Sequence, residues 1–189
     1  MTANTPPIEA ATERLYTGAE ALALGDIGPY ELIEGRIVHM SPTKHQHGKY
    51  KINLATILNN FVKQHKLGEV QGGEVGLYVR RNPDTVRAAD VLFISNERLA
   101  KANPDSFLDV APELAAEIVS PDDRWTEIRQ KIREYLSAGV SVVLVIDPAE
   151  QTATVYRSFA NVHELTTADT LTLEDILPGF SVPVAELFS

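Results

Sequence analysis

At 189 residues, with 44% hydrophobic and 23% charged side chains, the chain has the length and composition of one globular domain with a substantial core. It contains no cysteine, which excludes disulfides, thiolate metal sites and cysteine nucleophiles. Its formal net charge of −9 argues against a protein that coats nucleic acid, because phosphate contacts dominate such binding.

Residues 1–14 read as a disordered or loosely attached N-terminus, without the basic and apolar regions of a signal peptide. Residues 15–189 read as a single domain. No apolar run approaches the roughly 18 residues of a transmembrane helix, so the expected location is cytoplasmic, with no membrane partner. The segment TGAEALAL predicts a short helix, with Thr17 as N-cap and Glu20 completing a capping box. YELIEGRIVHM predicts two short strands about a turn at Glu34–Gly35. Over 44–66, Tyr50, Leu54, Ile57, Leu58 and Phe61 recur at helical spacing, and Gly68 closes the helix.

Strands are predicted over 69–79 and 86–94 around an RRNPD turn, followed by a short helix over 96–102 and a strand over 112–119. Pro121 ends that strand. A helix capped by Asp122 or Asp123 then runs to Ser137, with Gly139 as its stop. The β-branched run VSVVLVID predicts a strand buried on both faces. TATVYRS pairs back through the PAEQ turn, and 161–173 supplies two further short strands. This order defines a mixed α/β protein, a central sheet flanked by helices with additional β-hairpins. The strand–helix–strand unit over 112–146 is expected to be a crossover between parallel strands.

Three residues stand out. Asp90 in VRAADVLFIS and Glu117 in PELAAEIVSP are acids inside apolar strands. A buried carboxylate costs on the order of several kcal/mol unless it finds a partner or a metal. Two on adjacent strands suggest a hard-cation site, since Mg²⁺ takes oxygen ligands. They are therefore expected to face one another. By strand alternation Asp90 shares a face with Leu92 and Ile94, and Glu117 with Ala115 and Val119. Lys131 flanks the helical stripe formed by Trp125, Ile128, Ile132, Tyr135 and Leu136, and would bring a positive charge beside the metal. Each has a plainer alternative. Asp90 pairs with Arg87 or Arg81, Glu117 is a solvent-facing edge residue, and Lys131 forms a helical pair with Glu127.

These landmarks resemble the Uma-type restriction endonuclease family of the PD-(D/E)XK nuclease superfamily. The resemblance runs from about Tyr16 to Phe188 and rests on YELIEGRIVHMSP, the following His47–Gly48, VRAADVLFIS, PELAAEIVSPDDR, KIREYLSAGVSVVLVIDP and LPGFSVPVAELF. Two positions depart from the pattern. Ala89 replaces the usual proline before the first acid. Val119 stands where the superfamily carries its lysine, and Lys131 matches the position on the next helix where this family places it.

The resemblance implies a restriction-endonuclease-like core and a Mg²⁺- or Mn²⁺-dependent endonuclease acting on DNA, with Asp90, Glu117 and Lys131 as its catalytic residues. It also implies an early acid that completes the metal site, for which Glu34 is the first choice and Glu31 the second. His47 either orients a ligand or phosphate, or is a satisfied buried histidine. Residues 41–68 carry five lysines and no acid, which reads either as a solvated helix face or as a phosphate-facing surface. The missing Glu-x-Lys lysine and the acidic charge favour a rival, a non-catalytic protein of the same fold that binds nucleic acid or a protein partner. A hydrolase of other phosphoesters is the second rival. No P-loop, G-x-S-x-G, H-E-x-x-H or zinc-ligand spacing is present. A homodimer is expected, because LTLEDILPGFSVPVAELF is apolar and acidic and packs either against its own domain or against a partner subunit, and duplex cleavage is easier with two sites.

Overall fold

The computed structural model describes residues 14–42 and 45–189; the expectation for residues 1–14 lies, except for residue 14, outside them. The elements are α1 (Gly18–Leu22), β1 (Tyr30–Ile33), β2 (Arg36–His39), α2 (His45–His65), β3 (Gly68–Arg80), β4 (Thr85–Ser95), α3 (Asn96–Leu99), β5 (Leu114–Ile118), α4 (Trp125–Ser137), β6 (Val142–Asp147), β7 (Thr152–Ser158), β8 (Asn161–Leu165), β9 (Thr170–Thr172) and β10 (Ser181–Pro183), with a 3₁₀ turn over Val184–Leu187. None of the described helices is long and apolar enough to cross a membrane.

The chain forms a mixed α/β fold. One eight-stranded sheet runs in the order β2-β1-β4-β5-β6-β7-β8, with β3 on the other edge of β4. β5 and β6 are parallel, joined through α4. The remaining neighbours are antiparallel. β4 and β6 are buried along nearly their whole length, because a layer covers each face of the sheet.

On one face α2 lays Leu54, Leu58 and Val62 against Val91, Phe93, Ala116, Ile118, Leu144 and Ile146. On the other, α4 lays Ile128, Ile132 and Tyr135 against Leu92, Ile94, Ala115, Val143 and Val145. The apolar C-terminal stretch covers α2 of its own chain. Leu171, Leu173, Leu177, Phe180, Val182, Val184 and Leu187 join the α2 core, each such side chain contributing about 1.5–3 kcal/mol of burial. Asn53 Nδ2 ties the two together by donating to the Leu187 and Ser189 carbonyls at 3.2 and 2.8 Å. This packing removes the reason for assigning that stretch to a partner subunit.

The capping box of α1 forms as predicted, with the Thr17 hydroxyl accepting from the Glu20 N–H and the Glu20 carboxylate accepting from the Thr17 N–H. The expected acid cap of α4 does not form. Arg124 is the N-cap residue and no side chain caps the helix. Asp123 instead accepts from the Ser120 N–H at 2.8 Å, which shapes the turn leaving β5.

Candidate active site

The site lies where the sheet forks. Along one edge, β4 changes partner: Val86 pairs with Leu32 of β1, whereas Val91, Leu92 and Phe93 pair with Ala116, Ala115 and Leu114 of β5. Backbone groups freed by the divergence need other partners. Carboxylates supply them. Glu31 Oε1 accepts from the Ala88 N–H at 3.1 Å, and Asp90 Oδ2 accepts from the Ile118 N–H at 2.9 Å. The two acids thus stand in for missing strand, and the backbone fixes where they sit.

Opposite the fork, β3 carries a bulge. Its register jumps between Gly72 and Val75, with Gly73 at φ 94° and Glu74 at φ 67°. A bulge re-aims nearby side chains. Ala89, rather than Asp90, packs with Leu92 and Ile94, and the Asp90 carboxylate turns to α2. There His47 Nε2 lies 3.2 Å from Oδ2 and Lys51 Nζ lies 2.8 Å from Oδ1. This corrects the alternation expected for Asp90.

Glu117 keeps its expected face, with Ala115 and Val119, and meets α4. The Tyr135 hydroxyl donates to its Oε1 at 2.6 Å, and Lys131 Nζ donates to its Oε2 at 3.1 Å. Lys131 does not pair with Glu127. It bridges Glu117 and Glu31, lying 3.1 Å from Glu31 Oε1 as well. Arg87 does not pair with Asp90 but binds Glu31 and Glu134.

Asp90 and Glu117 are therefore reached from opposite layers, yet the fork opens the sheet between them. Both line one cavity of about 590 Å³, together with Glu31, Glu74, His47 and Lys131. Glu34 is not among its walls. It sits in the β1–β2 turn with its side chain 55% exposed and pairs with Arg80 at 2.8 Å. The early acid that reaches the cavity is Glu31. Lys51, Glu74 and Tyr135 were not singled out from sequence as site residues. Lys51 is legible in hindsight, four residues after His47 on the same helix face, and the Gly-Gly-Glu run hints at the bulge.

The cavity's electrostatics separate its carboxyl groups. Burial pushes Glu117 up to about 7; the Lys131 charge opposes this, and the negative charge of Asp90 reinforces it. Burial would also raise Asp90, but the His47 hydrogen bond and charge, with Lys51 and the Ile118 N–H, hold it below the usual carboxylate range. Glu31 likewise stays low against burial, through Lys131 and Arg87. The hydrogen bond to Asp90 raises His47 despite its burial. Burial would lower Lys131, but Glu117 and Glu31 keep it raised and charged. Two acids with divergent proton affinities share a cleft with a fixed ammonium, which is the pattern of a reactive site.

The donor set fits a hard divalent cation. Mg²⁺ needs only one or two carboxylates and keeps several waters. Among the described residues no three His, Asp or Glu side chains close into a ready-made cage. Asp90 and Glu117 are the residues placed to hold such an ion. The Nδ1 of His47 is buried without a hydrogen-bond partner among the described residues.

A forked mixed sheet between two helical layers, with acids on adjoining strands and a lysine on the next helix, is a restriction-endonuclease-like architecture. The model of the Uma2 family, described as "Putative restriction endonuclease", matches residues 19–185, and the chain belongs to that family. Its fold is similar to that of a putative nuclease belonging to DUF820 from Anabaena variabilis ATCC 29413, with a TM-score of 0.76 and 22% identity over 91% of this chain and 97% of that one. No curated protein matches the sequence.

Proposed function

We propose that the protein is a Mg²⁺- or Mn²⁺-dependent DNA endonuclease. The observation that carries this reading is the pair of buried carboxylates, Asp90 and Glu117, fixed across the fork with Lys131 3.1 Å from Glu117. A bound Mg²⁺ supplies Lewis-acid polarisation of a phosphate and a more acidic water. The protein does the rest. Tyr135 and Lys131 fix the orientation of Glu117, while Glu31, itself gripped by Arg87, holds Lys131 in place. Lys131 presents a fixed positive charge where the phosphorane would gather negative charge, the kind of preorganised electrostatics that lowers barriers most. The lysines of residues 45–66 extend positive charge from α2 into the following turn, suited to a DNA backbone.

Nicking of a supercoiled plasmid with Mg²⁺, with Mn²⁺ and with chelator tests the reading. Metal-dependent conversion to open circle is expected. Tight DNA binding without cleavage would favour the non-catalytic rival, which Val119 in place of a lysine and the net charge of −9 support. Turnover only of small phosphoesters would favour the other rival. A homodimer with two such sites is part of the proposal, and a monomeric mass by light scattering at micromolar concentration would remove it.

Metal binding is expected to depend on pH chiefly through Glu117, with the raised His47 beside Asp90 acting in the same direction as it takes up its proton. The Glu117 proton must leave before an ion can bind, and that proton is held up to about 7. The calorimetric Kd for Mg²⁺ should weaken about tenfold from pH 6.5 to 5.5 and level off above pH 8. Asp90, held low, adds no step in that window. A flat profile from pH 5.5 to 8 would mean that Glu117 does not ligate the ion.

A further inference from the structure

Asp90 has no unoccupied oxygen. Oδ2 carries the Ile118 N–H and His47, and Oδ1 carries the Lys51 ammonium at 2.8 Å. Glu117 is equally engaged, by Tyr135 and Lys131. A cation that binds these acids would share their oxygens with positive charge already in place, and repulsion favours the departure of whichever partner can move. The Ile118 N–H is backbone and cannot move. Tyr135 is fully buried, His47 is buried as well and sits on the oxygen that the Ile118 N–H already holds, and Lys131 is held between two carboxylates. Lys51 differs from all of these. It is a compact charge on a flexible four-carbon stem, and a second carboxylate already waits for it, Glu74 Oε1 at 3.7 Å. Glu74 is brought there by the β3 bulge, at a backbone conformation (φ 67°) that a glutamate rarely adopts. That strained position suggests a purpose.

We propose that Lys51 is the positive charge Asp90 holds when no metal is bound, and that it swings to Glu74 as a divalent cation binds. This rests on the metal-site reading above. Lys51 thereby keeps the cavity's charge balanced in both states. In the metal-free protein it neutralises Asp90. In the loaded protein it pairs with Glu74, which lines the cavity, and leaves Asp90 Oδ1 to the ion. Lys51 and Glu74 are thus metal-site determinants, although neither is a ligand.

The test is a double-mutant cycle read by calorimetric Mn²⁺ binding, with thermal unfolding as the check on folding. Lys51→Met should tighten Mn²⁺ binding about tenfold, a size usual for contacting charges. Lys49→Met, on the exposed side of α2, should tighten it much less. Glu74→Gln should weaken Mn²⁺ binding in the wild-type background, because Lys51 loses its second seat, and have almost no effect in the Lys51→Met background. Lys51→Arg, which folds with the charge retained and grips a carboxylate at two points, should weaken binding and secures the test if Lys51→Met is unstable. Unchanged or weaker binding in Lys51→Met overturns the proposal. So does an equal Glu74→Gln loss in both backgrounds, which would make Glu74 itself a contact of the ion. Absence of Mn²⁺ binding in the wild type and in every variant would instead sink the metal reading on which this rests, and the proposal with it.

Discussion

Glu117→Gln is expected to lower the metal-dependent nicking rate by roughly 10²–10³-fold, the scale seen when one preorganised charge or donor is removed from a reaction centre. The substitution is close to isosteric. A carboxamide oxygen can still accept from the Tyr135 hydroxyl, and Lys131 keeps Glu31 as a partner. The fold should therefore survive with little change in melting temperature. It loses only a charge that burial already resists, as the raised proton affinity of Glu117 shows. Rates measured beside thermal unfolding separate the two effects. A variant that retains most of its cleavage would remove Glu117 from the chemistry.

Lys131→Ala is expected to cost about 3–5 kcal/mol at pH 8, the usual penalty for removing one partner of a buried ion pair. The sequence alone allowed a surface pair with Glu127, worth a few tenths of a kcal/mol. The structure changes the expectation, because the ammonium bridges Glu31 and Glu117, both under a tenth exposed. Without it, Glu117 faces Asp90 and Glu31 unopposed, and its proton affinity rises further. The native state then binds more protons than the unfolded chain between the unfolded carboxyl pKa and the raised folded one. Stability must fall as pH rises through that interval. The deficit should accordingly be smaller at pH 5 than at pH 8, as read from urea midpoints. A loss below about half a kcal/mol that does not vary with pH would fit only the surface pair. Nicking by Lys131→Ala should fall with the site's charge, and full activity would leave Lys51 and His47 as the next residues to examine.

Asp90, Glu117 and Lys131 were legible in the sequence because each contradicts its surroundings. An acid in an apolar strand, or a lysine flanking an apolar helical stripe, asks for a partner, and a local pattern is enough to pose that question. The answers were not local. Which charges meet depends on the fork, and the fork depends on where β1 gives way to β5 along one edge of β4, a matter of strand order. Glu31 and Glu34 flank the same turn and look alike in the sequence. Only the sheet decides that Glu31 reaches the Ala88 N–H while Glu34 meets Arg80 outside the cavity. The alternation expected for Asp90 fails for a related reason. Strict alternation assumes an unbroken ladder, and the bulge at Gly73–Glu74 on the neighbouring strand interrupts it. The C-terminal stretch is plainly apolar in the sequence, yet apolarity does not name what it covers, and in the fold it covers α2.

That cover also orders events in time. A ribosome releases α2 long before residues 171–187, which complete the core beneath it, and domains settle as units once their distant contacts can close. His47 and Lys51 therefore gain their final positions over Asp90 only once residues 171–187 have been made. A nascent chain that stops short of residue 171 carries the acids of β4 and β5 without the packing that seats the α2 side of the cavity over them.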